Sequence, residues 1–506
     1  METTELVEHA GPKAGRKEWI ALGVLALPLL LVSMDVSVLY FAVPFISADL
    51  GATATEQLWI FDIYGFVLAG LLITMGSLGD RIGRRRLLIG GAFAFGLASL
   101  IAAYAQNPEQ LIGARAVLGV GGATLMPSTL ALIRNIFHDP AQRSKAIAFW
   151  SAVMMGGISL GPVLSGILLE HFWWGSVFLI NLPAMVLLIM LAPVLLPEFR
   201  SPSAERFDLL SSALSLASVL PVIYGIKKLA ADGFGTLPVV SIVVGLAVGV
   251  LFVRRQQRRT DPMIDLAMFR NTAFSGAIVA NTVAALGVIG NAVFMTQYLQ
   301  LVRGMSPLTA ALWSLAPSVI VAGAAPAASA MAQRMPVSRV LAIGFLIGAS
   351  GFGVITQVHA HSPLAVLLAG AAVLAAGLVM VMTLVTEVVV GSVPAERAGS
   401  ASALSETCSE LGGALGIAIL GSIGTAAYRA DISVPPGIPG ADATREGLPG
   451  AVAAAAHLPG ELGTTLIAAA RDSFSHSMNV VAIVGAALLV ATAVLVTVLA
   501  PAKQDV

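Results

Sequence analysis

Long apolar runs alternate with short polar breaks along this chain. The runs fall near 20–43, 58–78, 87–104, 110–133, 146–168, 174–196, 208–226, 236–253, 272–300, 308–332, 339–357, 363–388, 400–424 and 474–500. A helix rising ~1.5 Å per residue crosses a hydrocarbon core of ~30 Å in about 20 residues. The pattern therefore predicts an all-α polytopic membrane protein with fourteen transmembrane helices. Successive breaks must lie on alternate sides of the bilayer. One side then holds twenty-one arginines and lysines, and the other only Lys227, Lys228, Arg303, Arg429, Arg445 and Arg471. Arg115 stays inside a run. Cytoplasmic loops carry an excess of Lys and Arg, so the basic side, with both termini, is assigned to the cytoplasm of a cell-membrane protein.

The breaks also divide the chain. Polar stretches at 198–208 and 254–265 bracket spans seven and eight. Ala332-Gln-Arg-Met-Pro-Val-Ser-Arg-Val-Leu341 reads as an eroded copy of 79–88, with Arg334 matching Arg81, Arg339 matching Arg86 and Leu341 matching Leu88. The expected layout is a tail at 1–19, a six-helix bundle at 20–196, an inserted pair with linkers at 197–265, a second bundle at 266–500 and a tail at 501–506. Transporters built from repeats place substrate near the midplane between them. The break at 426–472 is far longer than the rest, and loops beyond ~12–15 residues are usually functional or disordered. Its prolines read as a solvated linker, preferred over a lid, although 450–457 and 460–471 are Ala-rich enough for two short helices.

Composition removes whole classes of function. The chain is 57% hydrophobic and 11% charged, against about 25% charged in soluble domains. Net charge is zero and the basic residues sit in loops, so no face tracks a phosphate backbone and no nucleic-acid partner is expected. Cys408 is the only cysteine, which rules out an internal disulfide and a thiol metal site. The histidines fall at loops, tails or span ends, so neither metal nor cofactor is expected, and no catalytic cluster points to an enzyme. No G-x-x-x-x-G-K-[ST] loop is present, which excludes direct ATP drive of that kind. The polar start, residues 1–18, does not read as a cleavable leader.

Six ionisable residues lie within the runs: Asp35, Asp62, Arg115, Glu387, Glu406 and Glu410. Each costs at least ~2.5–3.5 kcal/mol to insert, so function is the default reading. Asp35, Asp62 and Arg115 all count to the outer half. Arg115 can pair with either aspartate, leaving the other to take a proton. Tyr40, Phe41, Trp59, Phe61, Tyr64 and Phe66 surround the two acids. A carboxylate in an aromatic wall suits a lipophilic cation through charge and cation–π attraction. Packing is the competing reading, and for Trp59 alone the preferred one. Glu406 and Glu410 share a helix face one turn apart, a spacing that opposes double ionisation and separates their titrations. Glu410 is the deeper. Glu387, near the inner end of span twelve, is a weaker substrate-contact candidate, set against a gate or surface role.

Three motifs carry a resemblance. Gly76-Ser-Leu-Gly-Asp-Arg-Ile-Gly-Arg-Arg-Arg-Leu-Leu88 resembles the loop signature of the major facilitator superfamily. Gly157-Ile-Ser-Leu-Gly-Pro-Val-Leu-Ser-Gly166 resembles its antiporter motif, with Ser165 replacing a glycine. The stretch around Arg115 resembles its span-four motif, with Leu118 where glutamine is common. Together with Met34–Pro44, Trp59–Tyr64, Trp173–Pro183 and Ser405–Gly412, nearly the whole of 19–500 resembles the fourteen-helix drug–proton antiporter branch.

The resemblance implies the major facilitator fold and a monomer in the lipid bilayer. It implies proton-coupled efflux by alternating access of lipophilic, mainly cationic drugs, such as quaternary ammonium compounds, dyes and fluoroquinolones. Asp35, Asp62, Glu406 and Glu410 would serve proton coupling, and Asp35, Asp62, Trp59, Tyr64, Tyr40, Glu387 and Glu410 substrate binding. Gly76, Gly79, Asp80, Arg81, Gly83, Arg84, Arg115, Gly157, Gly161, Pro162 and Gly166 would serve gating and structure. A dedicated self-resistance exporter of one antibiotic is the alternative, and a proton-coupled uptake symporter a weaker one.

Overall fold

The computed structural model describes residues 13–200, 208–259, 262, 264–321, 323–393, 398–434 and 441–499. The expected tail at 501–506, most of that at 1–19, parts of the 197–265 linkers and the proline-rich 435–440 lie outside them. Among the described residues the architecture is all helical. The first nine elements are α1 (Arg16–Leu50), α2 (Ala54–Ile82), α3 (Arg84–Ala103), α4 (Pro108–Ile136), α5 (Pro140–His171), α6 (Ser176–Leu179), α7 (Asn181–Leu195), α8 (Leu209–Asp232) and α9 (Thr236–Arg258). A 3-10 turn then leads into α10 (Thr272–Gln297), which ends in a π turn, Tyr298–Val302. The chain continues through α11 (Pro307–Ser314), α12 (Ser318–Val321), α13 (Ala324–Ala332), α14 (Val337–Ile355), α15 (Leu364–Gly391) and α16 (Ala398–Asp431). It closes with α17 (Ala441–Glu446), α18 (Leu448–Ala455) and α19 (Gly460–Leu499).

Thirteen helical spans among the described residues are long and apolar enough to cross a membrane. The expected span at 308–332 is helical but broken into α11, α12 and α13. Pro317 has no N–H to give the ladder. The chain restarts there with Ile320 and Val321 donating to the Pro317 carbonyl at 3.1 and 3.2 Å. A second difference is the length of α8, which runs past the apolar edge at 226 and through Lys227 and Lys228. Its stop is Gly233, whose φ of 80° only glycine adopts at no steric cost.

Helices α1, α4 and α5 pack together with α2, α3 and α7, while α10, α14, α15, α16 and α19 form a second group. Across the seam α2 lies on α16 and α5 on α11. The approach is close because the seam is small-residued: a Cβ at Gly65 would stand 3.3 Å from that of Ala414, and one at Gly166 only 2.6 Å from Leu308 Cα. Helix α8 pairs with α9 and also touches α2 and α16, so the inserted pair sits against the seam. Outward faces stay apolar. Val239, Val243, Val244, Leu246, Val250 and Leu251 of α9 are all exposed, as a lipid-facing helix requires.

The end opposite the basic loops is capped. Helix α16 continues to Asp431 and α19 starts at Gly460, so the break expected at 426–472 is shorter and holds α17 and α18. Glu446 accepts from the Ala54 N–H at 3.2 Å and pairs with Arg429, and the Tyr428 hydroxyl donates to the Thr444 carbonyl at 3.2 Å. The described part of this connection bridges the start of α2 and the end of α16, which is cap geometry. It is not a free linker. A small cavity beneath it is lined by Leu58, Phe61, Phe294, Tyr428, Leu448 and Phe474.

Candidate functional site

Helix α4 reaches the centre because its glycines let it lie against α2. A Cβ at Gly119 would stand 2.7 Å from the Tyr64 carbonyl, and one at Gly122 3.0 Å from the Tyr64 hydroxyl. That proximity threads Arg115, fully buried, between α1 and α2. Its Nε donates to the Ile60 carbonyl at 3.0 Å and its Nη1 pairs with the Asp35 carboxylate. The guanidinium also lies 4.7 Å from the centre of the Tyr64 ring. Arg115 thus takes Asp35, and Asp62 is the aspartate left over.

Asp62 is not left bare. Lys227 of α8 turns inward and places its ammonium 2.6 Å from Asp62 Oδ2 and 4.2 Å from the centre of the Trp59 ring. Both members of this pair are fully buried. The sequence pattern had assigned Lys227 to a loop on the outer side, because the apolar run stops at it. The helix does not stop there, and the lysine becomes a further buried ionisable group among the spans. The cue was available: Leu229 and the alanines after it continue the helical pattern up to Gly233, the residue type that ends helices.

Glu406 and Glu410 on α16 differ from both aspartates. They are half-buried, and neither makes a hydrogen bond or an ion pair among the described residues. Glu410 sits within electrostatic reach of Glu406, Tyr40 and Tyr64, so an acid of one helix group lies near aromatics of the other. The Asn281 side chain of α10 donates to the Ser405 carbonyl at 2.8 Å and steadies the start of this acidic face. Around it the hydroxyls of Tyr40 and Tyr64, Nη2 of Arg115 and Oδ1 of Asp62 are buried with no hydrogen-bond partner among the described residues, and the Lys227 ammonium meets Asp62 Oδ2 as its one acceptor there. Buried orphan polar groups cost about 1–3 kcal/mol each. Such a concentration in one place marks a site built to receive something polar. Glu387 is not part of it, being exposed near the end of α15.

At the basic end Asp80 pairs with Arg84 one turn on, at 2.6 Å. Gly83, at φ 116°, makes the turn between α2 and α3, and a side chain there would meet the Glu198 carboxylate. Glu198 was not singled out from the sequence, where it is one acid in an ordinary polar break. It accepts from the Arg85 N–H at 3.1 Å and lies 3.7 Å from the guanidinium nitrogens of Arg85 and Arg86. Arg81 is exposed, and Gly76 and Gly79 lie inside α2. A Cβ at Gly79 would crowd the Arg84 stem at 2.9 Å. In α5, Gly157 faces the Leu30 carbonyl, with 2.8 Å for a Cβ, Gly161 faces Ser37, and Pro162 lies within the helix. Gly166 faces α11, so one stripe of α5 serves both an intra-group and a cross-seam contact.

A broken-helix bundle with buried acids at its seam has known counterparts. The family model described as Major Facilitator Superfamily matches residues 25–417. The chain belongs to the major facilitator superfamily. The multidrug efflux pump LfrA of Mycolicibacterium smegmatis is 44% identical, over 95% of this chain and 96% of its own length. The methyl viologen resistance protein SmvA of Salmonella typhimurium is 33% identical, over 91% and 94%. The tetracenomycin C resistance and export protein of Streptomyces glaucescens is 31% identical, over 80% and 76%. Among solved structures, an inward-facing, unoccupied bacterial homologue of the human lysosomal transporter Spinster superposes with a TM-score of 0.65 at 16% identity. That match covers 97% of this chain and 100% of the other, and it shows a shared fold. The protein is thus a multi-pass membrane protein with the major facilitator fold, in a family of transporters and not of enzymes.

Proposed function

We propose that this major facilitator protein exports lipophilic, mainly cationic compounds from the cell in exchange for protons. The observation that carries the reading is the contrast at the seam: Glu406 and Glu410 have no counter-charge among the described residues, with Glu410 within electrostatic reach of Tyr40 and Tyr64, while Asp35 is paired with Arg115. A carboxylate that can hold either a proton or an organic cation, but not both, couples the two flows. The names of LfrA and SmvA support the substrate class, since methyl viologen is itself an organic dication. Positive-inside bias puts the basic end and both termini in the cytoplasm. The groups at 20–196 and 266–500 then rock about the seam, with Gly157, Gly161, Pro162 and Gly166 as close-packed pivots and the Asp80–Arg84 pair and the contacts of Glu198 with Arg85 and Arg86 latching the basic end.

Everted membrane vesicles test this directly. Addition of ethidium or tetraphenylphosphonium to energised vesicles should collapse part of the proton gradient, and Glu410→Gln should abolish that response. Proton and drug moving in the same direction would instead identify a symporter. A second reading, export of a single antibiotic, draws on the tetracenomycin and puromycin resistance relatives at 31% identity. A panel of chemically unrelated cations separates the two, because a dedicated exporter would move none of them.

A further inference from the structure

The cation against Asp62 and Trp59 is the protein's own. A carboxylate beside an aromatic face is the chemistry that recognises an organic monocation, and here the Lys227 ammonium fills it, at 2.6 Å from the acid and 4.2 Å from the ring centre. We propose that Lys227 is a resident counter-cation, which a substrate cation must displace, so that the inserted helix α8 sets which cations this part of the seam admits. The inference rests on the reading above that the seam receives cations.

Three observations favour exchange over a fixed structural bridge. Lys227 lies in the last turns of α8 before Gly233, close enough to the helix end for a lysine to snorkel to water. It is 2% exposed instead, so its side chain turns inward although the helix end is near. The pair is also incompletely satisfied. An ammonium has three donors, yet beyond the 2.6 Å contact with Asp62 Oδ2 neither the ammonium nor the other Asp62 oxygen meets a hydrogen-bond partner among the described residues. Finally, α8 packs on both α2 and α16 while its main partner is α9, so it touches both sides of the seam. Ile223 of α8 packs with Phe66 of α2 and with Ala414 and Ala418 of α16. A cation arriving at Asp62 therefore releases a side chain on an element that both helix groups contact.

Binding of tetraphenylphosphonium to the purified full chain, by titration calorimetry, tests the proposal. Lys227→Met keeps the shape and removes the competitor, and should tighten binding about tenfold, within the range of coupling between linked sites. Asp62→Asn added to Lys227→Met should remove that gain while leaving the protein folded, because no buried charge is then stranded. In the parent chain, saturating tetraphenylphosphonium should increase acetylation of the Lys227 amine by acetic anhydride, read by mass spectrometry, a measurement that needs no variant to fold. Unchanged affinity in Lys227→Met, a gain that survives loss of Asp62, or unchanged labelling overturns the assignment while leaving cation export standing. Failure of parent and variant alike to bind the cation overturns both.

Discussion

Two sets of acids meet at the seam, and they are treated differently. Asp35 and Asp62 are nearly sealed from solvent and each faces a basic side chain from another helix, Arg115 of α4 and Lys227 of α8. Glu406 and Glu410 are half-buried and have no such partner among the described residues. Burial without a partner is expensive, so a chain keeps unpaired intramembrane carboxylates for something they do. The Arg115–Asp35 pair holds α1 and α4 in register, the Lys227–Asp62 pair ties α8 to α2 until a cation displaces the lysine, and the unpaired glutamates are free to change protonation. The difference separates the Arg115–Asp35 pair, whose loss breaks the structure, from Glu406 and Glu410, whose loss breaks the work.

The sharpest way to break this comparison is to neutralise one member of each set. Glu410→Gln should eliminate proton-coupled efflux, measured as ethidium retention in energised cells, and leave the thermal unfolding midpoint of the purified protein unchanged. Arg115→Ala should do the reverse kind of damage. It strands the Asp35 carboxylate in a sealed site, and breaking a buried pair in this way costs about 3–5 kcal/mol. The yield and unfolding midpoint of Arg115→Ala should therefore fall, and Asp35→Asn in the same chain should recover much of the loss. If Glu410→Gln unfolds the protein, or Arg115→Ala leaves it stable, the two sets are not distinct.

Why the sequence showed one set more fully than the other is itself physical. Apolar runs and charge bias mark where helices are, and an acid inside a run stands out by its cost, so all four acids were visible. Pairing depends on which helices touch. Arg115 could be read as the partner of one aspartate because a single arginine lay inside a span, but Asp35 and Asp62 stayed equal candidates for it. The partner of Asp62 was hidden because hydropathy ends a span at the first lysine, whereas a helix ends where its backbone can stop, here at Gly233. The same bias made α16 look shorter than it is. Its last turn carries Arg429 and Asp431, which hydropathy reads as loop and which the cap through Glu446 uses as anchor. The break at Pro317 failed in the opposite direction, because an apolar run with one proline still scores as a span. Glu198 carried no signal in the sequence, since nothing local tells a surface acid from one that meets a glycine turn.

Helix α8 allows the comparison to be sharpened within one element, because it carries a paired acid at its other end. Asp208 caps its start, accepting from the Ser211 N–H at 3.1 Å and pairing with Arg255 at 2.9 Å and Arg259 at 3.1 Å. Here the pair lies just outside the span and water is near. Burial pushes the Asp208 carboxyl up, but the bonds from Ser211 and Arg255, with the Arg255 charge, outweigh it and hold the pKa below the ordinary carboxylate value. A depressed folded-state pKa means stability that is present above the unfolded value of about 3.9 and lost as pH falls through the folded one. Asp208→Ala should thus cost roughly 0.5–2 kcal/mol at neutral pH, the scale of a lost helix cap. It is the smallest of these effects, and the gap between parent and variant should close on acidification below pH of about 4. Hydrogen exchange at the first turn of α8 reads it locally. If the cost persists unchanged in acid, the Asp208 charge does not carry this end of the helix, and the contrast between wet and dry pairing along α8 loses its wet member.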